Sequence, residues 1–306
     1  MRRRSAFRNW VEYGLALAVL QSLRLTPLTV ANRLAGGYAR LLDLAIPRLR
    51  RTAEYNLAMA LREEDPGRVI DGVFASIARL LVTFARFPSI RRENVAEWIR
   101  CEGTEHFDKA IDDGRGVLFA TAHLGNWELS AFAHALMKEP MHVVVRPLDN
   151  PLIDRLVARQ RALSGNRLIS KTDSARTILR ALKRNEAVGI LVDQNASPEN
   201  GVFVDFFGTP ACAATGLAKL AAVSGAAVLP GFAFWSETEQ RHVLRFYPPV
   251  PVTGDAVRDT QALQAKLEEV IRAHPDQWLW IHRRWKTRPA GEPALYESSP
   301  GVRQTL

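Results

Sequence analysis

Short apolar runs alternate with amphipathic stretches through the middle of this 306-residue chain. Four of the apolar runs predict buried strands, at residues 117–120, 142–145, 188–192 and 227–234. Between and around them, helical periodicity predicts helices at residues 126–137, 151–163, 174–184 and 213–224. Strands that alternate with helices indicate an α/β fold, with a mostly parallel central sheet flanked by helices.

Further elements are predicted on either side of this alternation. Helices are expected at residues 52–64 and 69–87, and the second has apolar residues every three or four positions, as a core-facing helix does. Apolar runs at residues 242–247 and 278–282 predict two later strands at the edge of the sheet. The pattern therefore predicts one folded domain over residues 52–288, followed by a loose, polar tail at residues 289–306.

The first 51 residues differ from the rest in charge. They contain ten arginines against two acidic residues, and the net charge of the whole chain is +9. Their longest uncharged run covers residues 13–23, which is short for a spanning helix of about 20 residues. We therefore expect residues 1–51 to form a basic, membrane-associating helical segment on an anionic surface, and a buried helix with a solvated arginine fringe is the alternative. Nucleic acid is not expected as a partner, because the arginines are not interleaved with stacking aromatic residues.

Cysteine usage and short motifs narrow the chemistry. Cys101 and Cys212 are far apart and have no metal-ligand spacing, so reduced thiols in a cytosol-facing protein are expected. The chain has no P-loop, no dinucleotide-binding glycine motif, no zinc-protease motif and no serine-hydrolase elbow. We predict neither a metal site nor a cofactor.

The first strand ends at a candidate catalytic pair, His123 and Glu128. In one continuous helix, side chains five residues apart diverge, but here a strand-to-helix turn separates the two residues. Glu128 in the first helical turn could therefore reach one imidazole nitrogen and leave the other free as a general base. The same spacing joins His134 to Glu139, but no strand delivers that histidine to a pocket, and we interpret it as surface geometry.

Polar residues also follow the other predicted strands. Arg146 follows the second strand, Asp193 the third, and Arg283 and Arg284 the last. Since ligands bind at the carboxyl ends of parallel strands, these side chains are candidates for one substrate-binding site together with His123.

At these residues the chain resembles the bacterial lipid A biosynthesis acyltransferases. The resemblance covers roughly residues 5–288 and rests on five ordered blocks: the His-x4-Glu segment, RPLDNPLID at 146–154, DQN at 193–195, VFVDFFG at 202–208 and QWLWIHRRWK at 277–286. It implies a fold like that of the glycerolipid acyltransferases and an N-terminal membrane segment. It also implies an acyl donor carried on acyl carrier protein, and a lipid A precursor as acceptor at the cytoplasmic face of the inner membrane.

The resemblance also assigns roles to residues. The family's histidine–acid pair falls on His123 and Glu128, its functional arginine on Arg161, and its aspartate at the third strand end on Asp193. A second aspartate that the family often has is Asn195 here, which places in doubt any role that needs two negative charges at this turn.

The chemistry expected from these residues is direct acyl transfer. His123 would deprotonate a hydroxyl of the acceptor as it attacks a thioester, and amides near Asn126 or an arginine would stabilise the oxyanion. Arg146, Arg161, Arg283 and Arg284 are candidates for binding anionic groups of the acceptor or of the carrier's phosphopantetheine arm. The sequence leaves three alternatives open: a phospholipid or mannosylated acceptor, a thioesterase that uses the same pair to activate water, and a membrane-peripheral scaffold without activity.

Overall fold

The computed structural model describes residues 5–170 and 174–296. The helices of this part are α1 Ala6–Leu25, α2 Leu28–Ala45, α3 Pro47–Ala60, α4 Pro66–Arg86, α5 Val95–Trp98, α6 Thr104–Asp112, α7 Trp127–Met137, α8 Pro151–Ala162, α9 Ser174–Lys183, α10 Gly216–Ser224 and α11 Ala256–Ala273. The strands are β1 Ile99–Glu102, β2 Val117–Thr121, β3 His142–Val145, β4 Arg167–Ser170, β5 Ala187–Leu191, β6 Gly201–Phe206, β7 Thr209–Ala214, β8 Ala227–Ser236 and β9 Arg241–Phe246.

A seven-stranded sheet organises the molecule, in the order β1-β9-β8-β2-β5-β3-β4. The five strands from β8 to β4 are parallel, whereas β9 pairs antiparallel with β8 and parallel with β1. The predicted mixed α/β class with a mostly parallel sheet is therefore confirmed. Strand β2 lies between β8 and β5, so the residues that follow β2 lie near the middle of the row formed by the carboxyl ends of the strands.

The two faces of β2 are buried in different cores, as expected for a central parallel strand. Phe119 belongs to a cluster with Leu129 and Phe132 of α7, on one face of the sheet. Leu118 and Ala120 point the other way and pack with side chains of α9 and α10. Helix α7 is therefore held over the sheet face toward which the odd-numbered residues of β2 point.

Several predicted elements differ in the structure. The run at 278–282 is not a strand: a short 3₁₀ helix, Pro275–Gln277, precedes an irregular segment in which Trp278 and Trp280 are both buried. Two-sided burial gave this segment the apolar character of a strand. Strand β7 occupies residues that were expected to begin the helix at 213, and it forms a separate hairpin with β6. The short strands β1 and β4 were not predicted.

The predicted N-terminal membrane segment is wrong. Among the described residues, no helix has both the length and the apolar character needed to cross a membrane. Leu23 of α1 is fully buried, and small residues on one face of α2, Ala31, Ala35 and Ala39, are buried where α2 packs against α4. The ten arginines and the short apolar run in residues 1–51 had suggested a membrane-associating segment. Three helices whose apolar residues share one core explain the same alternation of apolar and basic residues.

The end of the described chain is fastened to the N-terminal helices. The hydroxyl of Tyr296 donates to Asn56 Oδ1 at 2.6 Å, and the backbone N–H of Trp285 donates to the Tyr296 oxygen at 3.2 Å. Asn56 Nδ2 donates in turn to the carbonyls of Trp280 and His282, each at 2.7 Å. Of the tail predicted at 289–306, residues 297–306 lie outside the described residues.

Candidate active site

A five-residue turn carries the chain from β2 to α7 and places His123 at the sheet edge. Its geometry depends on Gly125, whose φ is +58° and whose missing Cβ would lie 1.9 Å from the carbonyl oxygen of Ala233. Asn126 then caps α7, because its side-chain oxygen accepts from the Leu129 N–H at 3.0 Å. The positive φ at position 125 suits glycine, and the next residue, Asn126, caps the helix. Together these two residues set where the strand ends and where the helix begins.

His123 is oriented by Asp193, at the end of the neighbouring strand β5. Its ring Nδ1 lies 2.9 Å from Asp193 Oδ1, and its backbone N–H donates to Asp193 Oδ2 at 2.8 Å. The indole N–H of Trp278 donates to the same Oδ2 at 3.0 Å. An ionised carboxylate beside Nδ1 selects the tautomer with the proton on that nitrogen, so Nε2 keeps a free lone pair.

The pKa values of the pair reflect this contact. Burial favours the neutral form of His123, but the charge and hydrogen bond of Asp193 outweigh it, and the pKa of His123 is raised above its ordinary value. Burial also opposes ionisation of Asp193, yet the His123 charge and the hydrogen bonds from His123 and Trp278 hold its pKa at about 2. Asp193 is therefore an anion at neutral pH, and His123 is a stronger base than an isolated imidazole.

Glu128 does not make the hydrogen bond to His123 that the spacing predicted. It faces α8, where Arg161 donates to it through Nε at 2.8 Å and through Nη2 at 2.5 Å. The side chains of Glu128 and Arg161 are 12% and 25% exposed, so this bidentate pair lies at the opening of the site rather than beneath it. Glu128 is still close enough for its charge to favour the protonated form of His123.

Helix α8 is itself anchored at its N-terminus. Asn150 caps it by accepting from the Leu152 N–H at 3.0 Å, and its side-chain amide donates to the carbonyl of Asn9 at 2.9 Å and to Glu12 at 3.0 Å. Arg161 lies in the last turn of the same helix. The orientation of the Glu128–Arg161 pair therefore depends on contacts that reach α1.

A cavity of about 570 Å³ opens beside His123 and runs between α7 and the sheet. Its opening is polar, with His123, Glu128, Arg146 and Arg161 among the lining residues. Its inner part is largely apolar and is lined by Phe87, Phe119, Phe132, Met141 and Phe246. Two glycines of the sheet, Gly189 and Gly231, also line it, and they leave room that side chains would otherwise fill. The site can therefore hold a hydrocarbon chain with its polar end at His123.

The remaining predicted ligands are divided between the site and the interior. Arg146 is exposed at the cavity opening. Arg283 does not line the cavity, and its guanidinium lies over the ring of Tyr296 at 5.6 Å. Arg284 is fully buried: it donates to the Cys212 carbonyl at 2.8 Å and to Gln264 at 2.9 Å, and burial lowers its pKa to about 10. The structure therefore does not bring Arg284 to the cavity, because its donors serve the protein interior.

Asn195, where the resemblance led us to look for a second aspartate, links two segments of the chain by hydrogen bonds. Its side-chain amide donates to the Thr287 hydroxyl at 2.9 Å, and its oxygen accepts from the Thr287 N–H at 2.9 Å. Its backbone N–H donates to His282 Nε2 at 3.1 Å. Because a carboxylate could not donate to Thr287, an amide suits this contact, and Asp193 remains as the carboxylate that contacts His123.

Two tryptophans of the site were missed by sequence reasoning. Trp127 lines the cavity, and its ring meets the His123 ring edge-on with centroids 4.9 Å apart. Trp278 donates to Asp193 from a segment that was predicted to be an edge strand. Trp127 directly precedes Glu128, which was a usable signal, but no local pattern connects Trp278 with Asp193, 85 residues earlier in the chain.

Comparison with known proteins gives the arrangement a family context. A family model described as bacterial lipid A biosynthesis acyltransferase matches residues 2–287. A lipid A biosynthesis lauroyltransferase of Escherichia coli K12 is 31% identical over 94% of this chain and 95% of its own length. A palmitoleoyltransferase of lipid A biosynthesis from the same organism is 31% identical over 76% of both chains, and a myristoyltransferase is 23% identical over 95% of this chain and 91% of its own.

Proposed function

This chain belongs to the bacterial lipid A biosynthesis acyltransferase family, and from that premise we propose that it transfers a fatty acyl chain from acyl carrier protein to a hydroxyl of a lipid A precursor. Family membership establishes the class of reaction, which is acyl transfer in lipid A biosynthesis. The thioester donor, the catalytic residues and the place of reaction are what we propose beyond that class. The observation that carries it is a histidine, oriented by a buried aspartate, at the polar opening of an apolar cavity.

His123 acts as the general base. With the proton held on Nδ1 by Asp193, Nε2 accepts the proton of the acceptor hydroxyl while the hydroxyl oxygen attacks the thioester carbonyl. The resulting tetrahedral intermediate collapses as the C–S bond breaks, and the thiolate leaves and takes up the proton from His123. The ester bond forms, the carrier's thiol is regenerated, and the base returns to its neutral state.

The negative charge of the intermediate needs donors, and Asn126 cannot supply one from its backbone. Its N–H donates to the Ala233 carbonyl at 2.8 Å and so is not free. Arg161 uses Nε and Nη2 for Glu128, and within the described part of the chain its Nη1 makes no hydrogen bond. We therefore assign Arg161 to the oxyanion or to a neighbouring phosphate, with Glu128 fixing its orientation.

The cysteines fit a mechanism without an acyl-enzyme. Neither Cys101 nor Cys212 lines the cavity. Burial raises the pKa of Cys101 to about 11, and burial also raises the pKa of Cys212. Since thiolates rather than thiols are nucleophilic, direct attack by the acceptor is the simpler course.

The proposed substrates determine where the enzyme works. The acyl chain occupies the apolar part of the cavity, and Arg146 at its opening binds an anionic group of the acceptor or of the phosphopantetheine arm. Because the donor is cytosolic and the acceptor is a membrane lipid, the reaction takes place at the cytoplasmic face of the inner membrane.

The test is a reconstituted transfer reaction with the purified full chain. Lauroyl, myristoyl and palmitoleoyl thioesters of acyl carrier protein are supplied with a lipid A precursor, and mass spectrometry measures both acylated lipid and free fatty acid. We expect acylated lipid, and we expect His123→Ala to reduce its rate by about 10²- to 10⁴-fold, the usual scale for a general base.

The matched control is His106→Ala, a histidine of α6 that does not line the cavity, and its rate should equal that of the unmodified chain. Release of fatty acid at the same rate with and without acceptor, and no acylated lipid, would support a thioesterase instead. Acylation of a phospholipid but not of the lipid A precursor would show that the acceptor is a phospholipid. Transfer by His123→Ala at the unmodified rate would overturn the assignment of the base.

A further inference from the structure

Three donors meet on the carboxylate of Asp193, and one of them comes from a segment with no assigned role. The Trp278 indole N–H and the His123 backbone N–H both donate to Oδ2, which leaves Oδ1 for the imidazole. Asp193 is 3% exposed and Trp278 is 1% exposed, so water cannot replace a lost donor easily. The rotation of the carboxylate about its χ2 angle is therefore fixed by the protein alone.

The same segment also holds the backbone of the catalytic turn. The Gly125 N–H donates to the Gln277 carbonyl at 2.8 Å, and the Leu279 N–H donates to the His123 carbonyl at 3.0 Å. Residues 277–279, which we call the strap, thus hydrogen-bond to the turn on both sides of Trp278. One short stretch of chain fixes the peptide of His123 and the carboxylate that orients its ring.

Hydrogen bonds to β8 and aromatic contacts hold the strap in place. The Gln277 side chain accepts from the Trp235 N–H at 2.7 Å and donates to the Trp235 carbonyl at 3.2 Å, which ties it to β8. The ring of Trp278 meets Trp280 edge-on, with centroids 4.5 Å apart, and Phe206 at 5.8 Å. With its ring held on two sides, the indole N–H has a fixed direction toward Asp193.

Trp278 differs from its neighbours in what it binds. The Trp280 indole donates to the Pro275 carbonyl at 2.7 Å, and the Trp285 indole donates to the Thr209 carbonyl at 3.3 Å. Both contacts are with backbone and are sufficient to explain two buried tryptophans. Only Trp278, of these three, donates to a carboxylate that touches the proposed base.

We propose that Trp278 is a positioning residue of the active site, which acts through Asp193 to keep the His123 imidazole in the reactive tautomer and orientation. This inference rests on the proposed role of His123 as the base. Trp278 does not line the cavity, so its loss lowers the rate of the chemical step and leaves substrate binding nearly unchanged.

The kinetic test compares Trp278→Phe with Trp280→Phe in the full chain. Both variants remove one indole N–H from the same buried cluster and keep an aromatic ring. We expect Trp278→Phe to lower kcat by about 10- to 100-fold, the scale of a hydrogen bond to a charged group, with KM within about twofold. Trp280→Phe should keep kcat, and urea unfolding should show a similar loss of stability in both. Equal kcat values for the two variants would overturn the proposal.

A double-mutant cycle identifies the path of the effect. If Trp278 acts through the carboxylate, Trp278→Phe should have little effect on kcat in an Asp193→Ala background. An undiminished additional loss in that background would show that Trp278 acts through packing and would contradict the proposal.

A spectroscopic readout makes the inference independent of the assay. In protein labelled with ¹⁵N-histidine, the His123 signals are assigned by their loss in His123→Ala. Trp278→Phe should shift the Nδ1 and Nε2 signals of His123, and Trp280→Phe should not. Unchanged His123 signals in Trp278→Phe would overturn the positioning role, whereas a shift in a protein without transfer activity would retain it and refute only the proposed function.

Discussion

The two flanks of His123 are built differently. On the inner flank, Asp193 is buried and accepts three hydrogen bonds, from the His123 ring, the His123 backbone and Trp278. On the outer flank, Glu128 forms a bidentate pair with Arg161 at the opening of the cavity. The inner carboxylate is placed to fix the proposed base, His123, whereas the outer one is placed to fix a cation at the opening of the cavity.

The comparison shows what a local motif can and cannot specify. Glu128 is near His123 in sequence, yet the contact with the ring comes from Asp193, which is 70 residues away and one strand over. The sheet order places β5 beside β2, and only that order makes the two strand ends neighbours. A motif thus identifies residues of one site more reliably than it identifies which of them touch.

The largest effect expected from this difference concerns the inner carboxylate. Asp193→Asn should lower kcat by about 10³- to 10⁴-fold, because an amide can donate to Nδ1 and stabilise the wrong tautomer. Steady-state transfer to the lipid acceptor measures it, and circular dichroism checks the fold. If the rate fell by less than about tenfold, the inner flank would not be what orients the base.

A smaller effect is expected on the outer flank. Glu128→Ala and Arg161→Ala should each lower kcat/KM by about 100-fold, as charge-stabilising groups do. Because the two residues act as a unit, the double variant should be no worse than either single one. Additive losses in a double-mutant cycle would show that Glu128 and Arg161 serve separate steps.

The pH dependence of kcat should show which of the two carboxylates, Asp193 or Glu128, raises the pKa of His123 more. As the proposed base, His123 must be neutral for transfer, and its pKa is raised, so kcat should fall as the pH drops through a value above the ordinary 6.5. Asp193→Asn should move this acidic limb to lower pH, and Glu128→Gln should move it in the same direction by less, since Asp193 is the larger of the two charge effects. A larger shift in Glu128→Gln would reverse the ranking.

The smallest effect concerns histidines without a carboxylate partner. His134 and His242 are buried among aromatic rings, and burial lowers their pKa values to about 4 and about 3. The unfolded chain binds these protons more readily, so stability should be full above pH 6.5 and should fall as the pH drops toward these values. His134→Phe should weaken the acid dependence of the urea midpoint below pH 6.5, and an unchanged dependence would contradict a neutral buried His134.

The parts of the fold that were predicted correctly are those with local patterns. The strand before His123, the helix after it and the alternation that follows are all present, because an apolar run, Gly125 and Asn126 act on adjacent residues. The run at 278–282 and the first helices were misinterpreted. In both segments the apolar pattern predicted burial correctly. It did not show whether the segment is a strand or a loop, or whether a membrane or other helices cover it.

For the site, the sequence does not predict the direction in which each side chain points. Arg283 and Lys286 are exposed whereas Arg284 and Trp285 between them are buried, so the two adjacent arginines have different surroundings. No feature of the sequence distinguishes them. Likewise, the direction of Trp278 toward Asp193 follows from how the strap crosses the turn, which depends on hydrogen bonds to β8 and to residues 123–125.

Gly125 has a genetic consequence. Every single-nucleotide missense change of a glycine codon introduces a residue with a Cβ atom, and here that atom would fall 1.9 Å from a carbonyl oxygen of β8. No second-best amino acid exists for this position, so a saturation library should retain only synonymous codons at 125, even though the residue performs no chemistry. The turn between β2 and α7 therefore admits glycine alone at this position.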